Sequence, residues 1–172
     1  CLNELGVDCN NRVTVLYNSD EEVGSPTSRP IIERLAKEAD YVFVLEPSVP
    51  PEGALKTFRK GVGMFRVSVE GKASHAGADH ENGVSAVEEL ARQILDLQAM
   101  TDYDRGTTVN VGVVQGGSRS NVVAASAEAE VDLRVTNMEE ADRMEHAILN
   151  LRSYNPKAGL TIEGGINRPP ME

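Results

Sequence analysis

Three carboxylates stand side by side in "YNSDEEVGS" (residues 17–25): Asp20, Glu21 and Glu22, directly after the apolar run "VTVLY". Neighbouring side chains on an extended turn diverge, so Glu21 and Glu22 need not do the same job. One can bind a metal ion while the other holds a water as general base. Zinc accepts carboxylate oxygen at about 2.0–2.2 Å, and a water on zinc ionises with a pKa of about 7. Glu46 ends the next apolar run, "YVFVLE". With adjacent parallel strands about 4.8 Å apart, it could reach the same rim. A solvated turn ahead of a helix also accounts for the cluster, because acidic side chains favour a helix N-terminus electrostatically.

Other residues carry two readings each. His75 lies between small residues in "GKASHAG", which leaves room for a ligand or a second subunit to approach the ring; a structural or merely exposed histidine fits as well. "GGSRSN" (116–121) reads as a hairpin whose glycines supply positive φ. As a phosphate loop it is weak, since it leads into a strand and lacks the Lys-Ser/Thr of a P-loop. Arg134, on the polar side of its strand, is either a surface charge or a carboxylate clamp. Cys1 and Cys9 have no Cys-x-x-Cys spacing and read as free thiols.

The elements that would position these residues fall into two pieces. "VTVLY" and "YVFVLEP" have the apolar, β-branched look of buried strands, and Ile31, Ile32, Leu35 and Ala39 recur between them at helical spacing. Strand, helix and strand suggest a βαβ unit of a mainly parallel sheet, where ligands gather at the strands' carboxyl ends. The pattern then changes. "GMFRVSVEG" alternates, with Met64, Arg66, Ser68 and Glu70 on a wet face. Val84, Val87, Ala91, Ile94, Leu95 and Gln98 trace an amphipathic helix. "TTVNVGVVQG" and a run alternating from Ala125 to Val135 give two more strands. Asn137, with Glu140 three residues on, predicts a capped helix whose buried face is Ala141, Met144, Ile148 and Leu151. "LTIEGG" closes the series. The order β-α-β-β-α-β predicts a ferredoxin-like α+β domain, a four-stranded antiparallel sheet with two helices on one face, over residues 60–172. Residues 1–59 read as an α/β fragment.

Composition narrows the classes. The chain has 172 residues, 27 acidic against 17 basic, for a formal net charge of −10. That argues against nucleic acid or an anionic membrane as partner. No apolar stretch approaches the roughly 18 residues of a membrane span, and the first residues do not resemble a signal peptide. The chain opens without Met, in what reads as the tail of a helix, so a partial chain is expected and the compartment stays open.

"LYNSDEEVGS", "VLEPS", "GKASHAG", "SRSNVVAASAEAEVDLRV" and "INRPP", in this order and at these intervals, resemble the zinc-dependent aminoacylase, desuccinylase and glutamate carboxypeptidase family. The likeness is strongest to carboxypeptidase G-type glutamate carboxypeptidases. It implies that Glu21 is the general base and that Glu22 and Glu46 are ligands of two zinc ions. It implies that His75 reaches a partner subunit's site and steadies the oxyanion there, and that Asn121 and Arg134 contact substrate. It further implies that residues 60–172 are an inserted lid through which the protein forms a homodimer, and that 1–59 belong to the catalytic domain. The substrate would be a peptide or N-acyl amino acid with a free carboxylate. The family's His-x-Asp and late histidine have no counterpart here, and neither His80 nor His146 sits in a matching context. The chain alone is therefore expected not to hydrolyse amides. The alternative is a ferredoxin-like dimerisation or small-molecule-binding module without catalysis.

Overall fold

The computed structural model describes residues 11–171; Cys1, Cys9 and the expected first helical tail lie outside them. The chain divides into two compact units between Pro47 and Ser48.

Among its described residues the first unit holds a 3-10 turn at Glu21–Val23 and one helix, α1 (Arg29–Lys37), with Pro30 in its first turn. Proline suits that place because its missing N–H would have no helical partner there. The two expected strands are not formed. Residues 13–17 and 41–47 lie outside any helix or strand, and Tyr17, Phe43 and Leu45 are exposed, Leu45 by 96%. A buried strand exists only between neighbours that satisfy its backbone and cover both faces. The described residues of this unit supply no such neighbours, so the βαβ expectation is corrected to a lone helix.

The second unit follows the predicted order. β1 (Gly61–Glu70), α2 (Ala86–Ala99), β2 (Thr108–Gly116), β3 (Ser126–Val135), α3 (Met138–Leu149) and β4 (Gly159–Arg168) form a sheet of order β2-β3-β1-β4, antiparallel throughout. Strand alternation puts Phe65, Val67 and Val69 of β1 and Ala127, Ala129, Val131, Leu133 and Val135 of β3 on one face, buried in a common core. Leu90 and Leu97 of α2 and Met144 and Ile148 of α3 complete that core. The opposite face stays wet, with Met64, Arg66 and Glu70 exposed. Arg59 and Met171 exchange backbone hydrogen bonds at 3.1 and 2.9 Å, which pairs the segment before β1 with the segment after β4.

The helix caps come from the residues that announce them. The Ser85 hydroxyl accepts the Glu88 N–H, and the Asn137 side chain accepts the Glu140 N–H at 2.8 Å. The buried stripe of α2, however, is rotated from the expected one. Ala86, Glu89, Leu90, Gln93 and Leu97 face the core, while Val87, Ala91 and Leu95 face outward. Two buried polar residues are bonded to each other, although Gln93 Oε1 has no partner among the described residues. Glu89 Oε1 accepts from Gln93 Nε2 at 2.8 Å and from the Tyr154 N–H at 2.9 Å, and Oε2 accepts the Asn155 N–H at 2.8 Å. Gln93 Nε2 also reaches the Arg152 carbonyl at 2.8 Å. Burial alone would push the Glu89 carboxyl up, but these bonds to its charged form outweigh it and leave the net pKa lowered.

Glu140, whose N–H makes the Asn137 cap bond, is buried as well, at 5% exposure. Its carboxylate takes the Arg143 guanidinium, the Thr107 hydroxyl at 2.7 Å and, more distantly, Arg105 at 3.5 Å. Arg143 first, and then Thr107 against the opposing burial, bring its pKa down to about 2. A carboxyl lowered in the folded state adds stability above its unfolded pKa and loses it as pH falls through the folded one. Glu140→Gln is therefore expected to cost about 2 kcal/mol at pH 7, discounted because both arginines are half exposed, and to cost almost nothing near pH 2. Urea unfolding at the two pH values measures the difference; an equal loss at both would show that the charge contributes nothing.

Candidate active-site residues on two loops

The acidic triplet is divided by its hydrogen bonds. Asp20 Oδ2 accepts from the Thr27 N–H (2.9 Å), the Thr27 hydroxyl (2.7 Å) and the Ser28 N–H (3.0 Å), while Oδ1 accepts from the Ser28 hydroxyl (2.6 Å). The Ser28 and Thr27 hydroxyls, more than any other group, hold its carboxyl far below the usual range. Asp20 thus ties the turn to the start of α1. Gly24, at φ 90°, reverses the chain after Glu21 and Glu22 in a conformation that L side chains rarely adopt. The side chains of both glutamates are exposed and make no hydrogen bond or ion pair among the described residues, and the same holds for Glu46. These are carboxylate oxygens of the kind zinc accepts, but among the described residues no group of three His, Cys, Asp or Glu side chains is placed to hold a metal ion. Two carboxylates fall short of the four ligands a zinc site takes.

His75 sits beyond β1, on a segment that prolongs the β1–β3 pairing. The Gly71 N–H donates to the Ala125 carbonyl (2.8 Å), the Val123 N–H to Ser74 (2.9 Å), and the Ala76 N–H to Asn121 (3.0 Å). His75 and Val122 form an antiparallel bridge, which sets the His75 and Asn121 segments side by side. The ring is oriented by its own loop: Nδ1 accepts the backbone N–H groups of Gly77 and Ala78, each at 3.1 Å. With Nδ1 an acceptor twice over, the ring proton belongs on Nε2, which makes that nitrogen a donor.

Arg134 lies elsewhere. It stands eight residues up β3 from Ser126, level with Val62 and Thr108. At about 3.4 Å per residue that is about 27 Å from the His75 end of the sheet. Its guanidinium is engaged by Asp132, two residues before it on the same face, through Nε–Oδ1 at 2.7 Å and Nη2–Oδ2 at 2.9 Å. The carboxylate-clamp geometry is present, with an internal carboxylate in it.

An open cleft of about 550 Å³ borders the His75 loop; Ala76, His80, Ser85 and residues 116–120 and 122–124 line it, Arg119 included and Asn121 not. The sequence marks Arg119 only as the lone cation of "GGSRSN".

Residues 57–158 match the family described as the peptidase dimerisation domain of the M20 peptidases. The chain belongs to this family. It is 38% identical over 141 residues to carboxypeptidase G2 of Pseudomonas sp., which covers 82% of this chain and 34% of that protein. It is 31% identical over 151 residues to acetylornithine deacetylase of Myxococcus xanthus, covering 80% and 38%. A tripeptidase of Staphylococcus aureus superposes with a TM-score of 0.50 at 27% identity, covering 67% of this chain and 31% of that one. A hydantoinase/carbamoylase family amidase of Burkholderia ambifaria shares the fold, with a TM-score of 0.56 at 21% identity, covering 66% and 30%. The chain spans about a third of the length of the curated relatives it matches. The M20 dimerisation fold is therefore the second unit described above. No helix among the described residues is long and apolar enough to cross a membrane.

The segment that leads from β1 to His75 in this M20 chain is packed against the start of α2 by a close approach at Gly71. A Cβ there would lie 2.1 Å from the Val84 carbonyl oxygen and 2.9 Å from the Ala86 nitrogen. All are backbone atoms, which cannot move aside as a side chain tip can. Gly71→Ala is expected to destabilise the chain by about 1–3 kcal/mol. Amide exchange at Ala76 and Val123 should speed up more than exchange at the centre of β1. Unchanged protection at those two amides would show that the approach does not hold the loops.

Proposed function

We propose that this chain is part of a dinuclear zinc amidohydrolase of the M20 kind, which hydrolyses the amide of a peptide or N-acyl amino acid bearing a free carboxylate. Residues 1–59 would belong to the catalytic domain and 60–172 would form the lid and homodimer contact. The observation that carries this reading is the oriented imidazole of His75, held by two backbone N–H groups beside Asn121. Glu22 and Glu46 would hold the metal together with ligands from outside this chain. Bound zinc supplies a water that ionises near neutrality and polarises the scissile carbonyl. Glu21 takes the proton of the attacking water on its carboxylate and passes it to the leaving amine nitrogen. Asp20, tied to Thr27 and Ser28, stays out of that exchange and fixes the turn. His75 donates Nε2–H to the oxyanion, an orientation ready before the charge develops. By itself the chain would not hydrolyse amides, since its described residues assemble no metal site.

The sheet also argues for two chains per site. A dipeptide spans about 7 Å, far less than the roughly 27 Å between the His75 and Arg134 ends. His75 and Arg134 of one chain would therefore serve two different sites, Arg134 meeting substrate only where that carboxylate displaces Asp132. β2 offers a self-complementary face for the pairing. Thr101 occupies both backbone groups of Val109, and Gln98 accepts the Val111 N–H at 3.1 Å, so that half of the outer edge is closed. Past the register shift between Val111 and Val113 no described side chain closes it, and Val113, Val114 and the nearby Leu95 are exposed. An open apolar edge of this kind pairs with another strand.

Subunit complementation tests the reading. In the intact enzyme, Glu21→Gln and His75→Ala are each expected to abolish hydrolysis. Mixing and reassociating them in equal amounts should restore about a quarter of wild-type activity, since half the dimers are mixed and each has one whole site. No recovery on mixing, with dimers exchanging normally, would rule out donation of His75 across the interface.

A further inference from the structure

We infer that Asn82 is a self-modification site: the backbone nitrogen of Gly83 converts its side-chain amide to a carboxylate, at a rate restrained by the turn that follows His75. This chemistry is independent of the hydrolase activity proposed above.

Asn82-Gly83 is the one Asn-Gly pair in the sequence. Asparagine is labile because the next main-chain nitrogen can close a five-membered ring on its side-chain carbonyl carbon. A side chain on the following residue crowds that closure, and glycine has none. Asn82 ends the 3-10 turn His80–Asn82, which buries no residue, and it is exposed, so water and hydroxide reach it. The step balances without oxidant or reductant. Hydroxide removes the Gly83 N–H proton, and the nitrogen attacks Asn82 Cγ. The N–Cγ bond forms, the Cγ–Nδ2 bond breaks, and Nδ2 leaves as ammonia with a proton from water. Water then opens the succinimide at either carbonyl, giving aspartate or an isoaspartate whose main chain runs through the former side chain.

The turn holds both reacting groups back. The Gly83 N–H donates to the His80 carbonyl at 3.0 Å, and Asn82 Nδ2 donates to Asp79 Oδ1 at 2.6 Å. Attack requires the nitrogen to give up the first bond, and departure of Nδ2 breaks the second. Conversion therefore proceeds from a locally opened turn. The product does not close it again. A new negative charge stands next to Glu81 in the chain and faces Asp79, whose donor is gone. An isoaspartate also adds a main-chain carbon directly before Gly83, where space is short. A Cβ on Gly83 would lie 2.4 Å from Ser74 Oγ and 2.9 Å from Val123 Cγ1. Val84 exchanges backbone bonds with Lys72 at 2.8 and 2.9 Å, and the Asp79 N–H is bonded to the His75 carbonyl at 3.0 Å. The displacement thus falls on the segment that carries His75.

Storage of the intact protein in mildly alkaline buffer, followed by tryptic mapping with mass spectrometry, tests this. Asn82 is the only side-chain amide in the tryptic peptide 73–92, so the mass gain of an –NH2 to –OH exchange there reports it alone. The intact protein should convert Asn82 before any other asparagine, yet several-fold more slowly than the synthetic 73–92 peptide. Asp79→Ala removes the acceptor of Nδ2 from an exposed turn and should speed conversion roughly fivefold at an unaltered melting temperature. Asn82→Gln should remove the mass gain. The converted protein, separated by its extra charge on anion exchange, should show faster amide exchange at Asp79 and Val84. Equal rates in protein, Asp79→Ala variant and peptide would overturn the restraint by the turn. A wild type and variant that both keep Asn82 while the peptide converts would overturn the site. Native exchange in the converted form would overturn its link to the His75 segment.

Discussion

The pairing of β1 with β3 is the constraint on which the rest of this structure depends. Ten residues of each strand run in register from Gly61 with Val135 to Glu70 with Ser126. Because side chains alternate, that single register puts Phe65, Val67 and Val69 of β1 and Val131, Leu133 and Val135 of β3 on the helix side. A slip of one residue would turn the whole set to water. The same ladder continues past the named strands through the Gly71, Val123 and Ala76 amides, and so fixes the His75 and Asn121 loops to each other. Core and candidate site are therefore products of one hydrogen-bonded register, with Arg134 carried to the far end by strand length alone.

Buried polar residues do a second kind of positioning. Glu89 and Gln93 use the inner face of α2 to hold the backbone of residues 152–155, the chain's approach to β4. Glu140 links the first turn of α3 to Thr107, at the start of β2. Neither carboxylate would survive in the core unpaired, since a buried charge without partners costs several kcal/mol. Each is instead a fixed connection between elements distant in sequence. Apolar packing, being non-directional, would leave those segments freer to slide.

Local bonding and exposure separate the acidic residues by role. Asp20 is consumed by the turn it builds, whereas the side chains of Glu21, Glu22 and Glu46 have no partner among the described residues. A carboxylate with no internal partner pays nothing to exchange water for a cation or a proton. The arginines divide the same way: Arg134 is paired at 2.7 Å, and Arg119 opens on a cleft without acids. In a molecule of net charge −10 such a cleft stands apart from its surroundings.

The sequence by itself determined the second unit's element types and order, because alternation, helical spacing and the Ser85 and Asn137 caps are local signals. It also marked Glu21, Glu22, Glu46, His75, Asn121 and Arg134, whose motifs need no folding to be read. Only the tertiary structure decided which side of α2 is buried. Glu89 and Gln93 look like surface residues until the 152–155 backbone arrives to bond them. Likewise "VTVLY" and "YVFVLEP" have strand composition, yet a strand is a relation between segments, and the described chain supplies no neighbour for either. The Nδ1 bonds of His75, the Asp132 pair on Arg134 and the acid-free wall around Arg119 also depend on chain segments meeting in space, which no local pattern encodes.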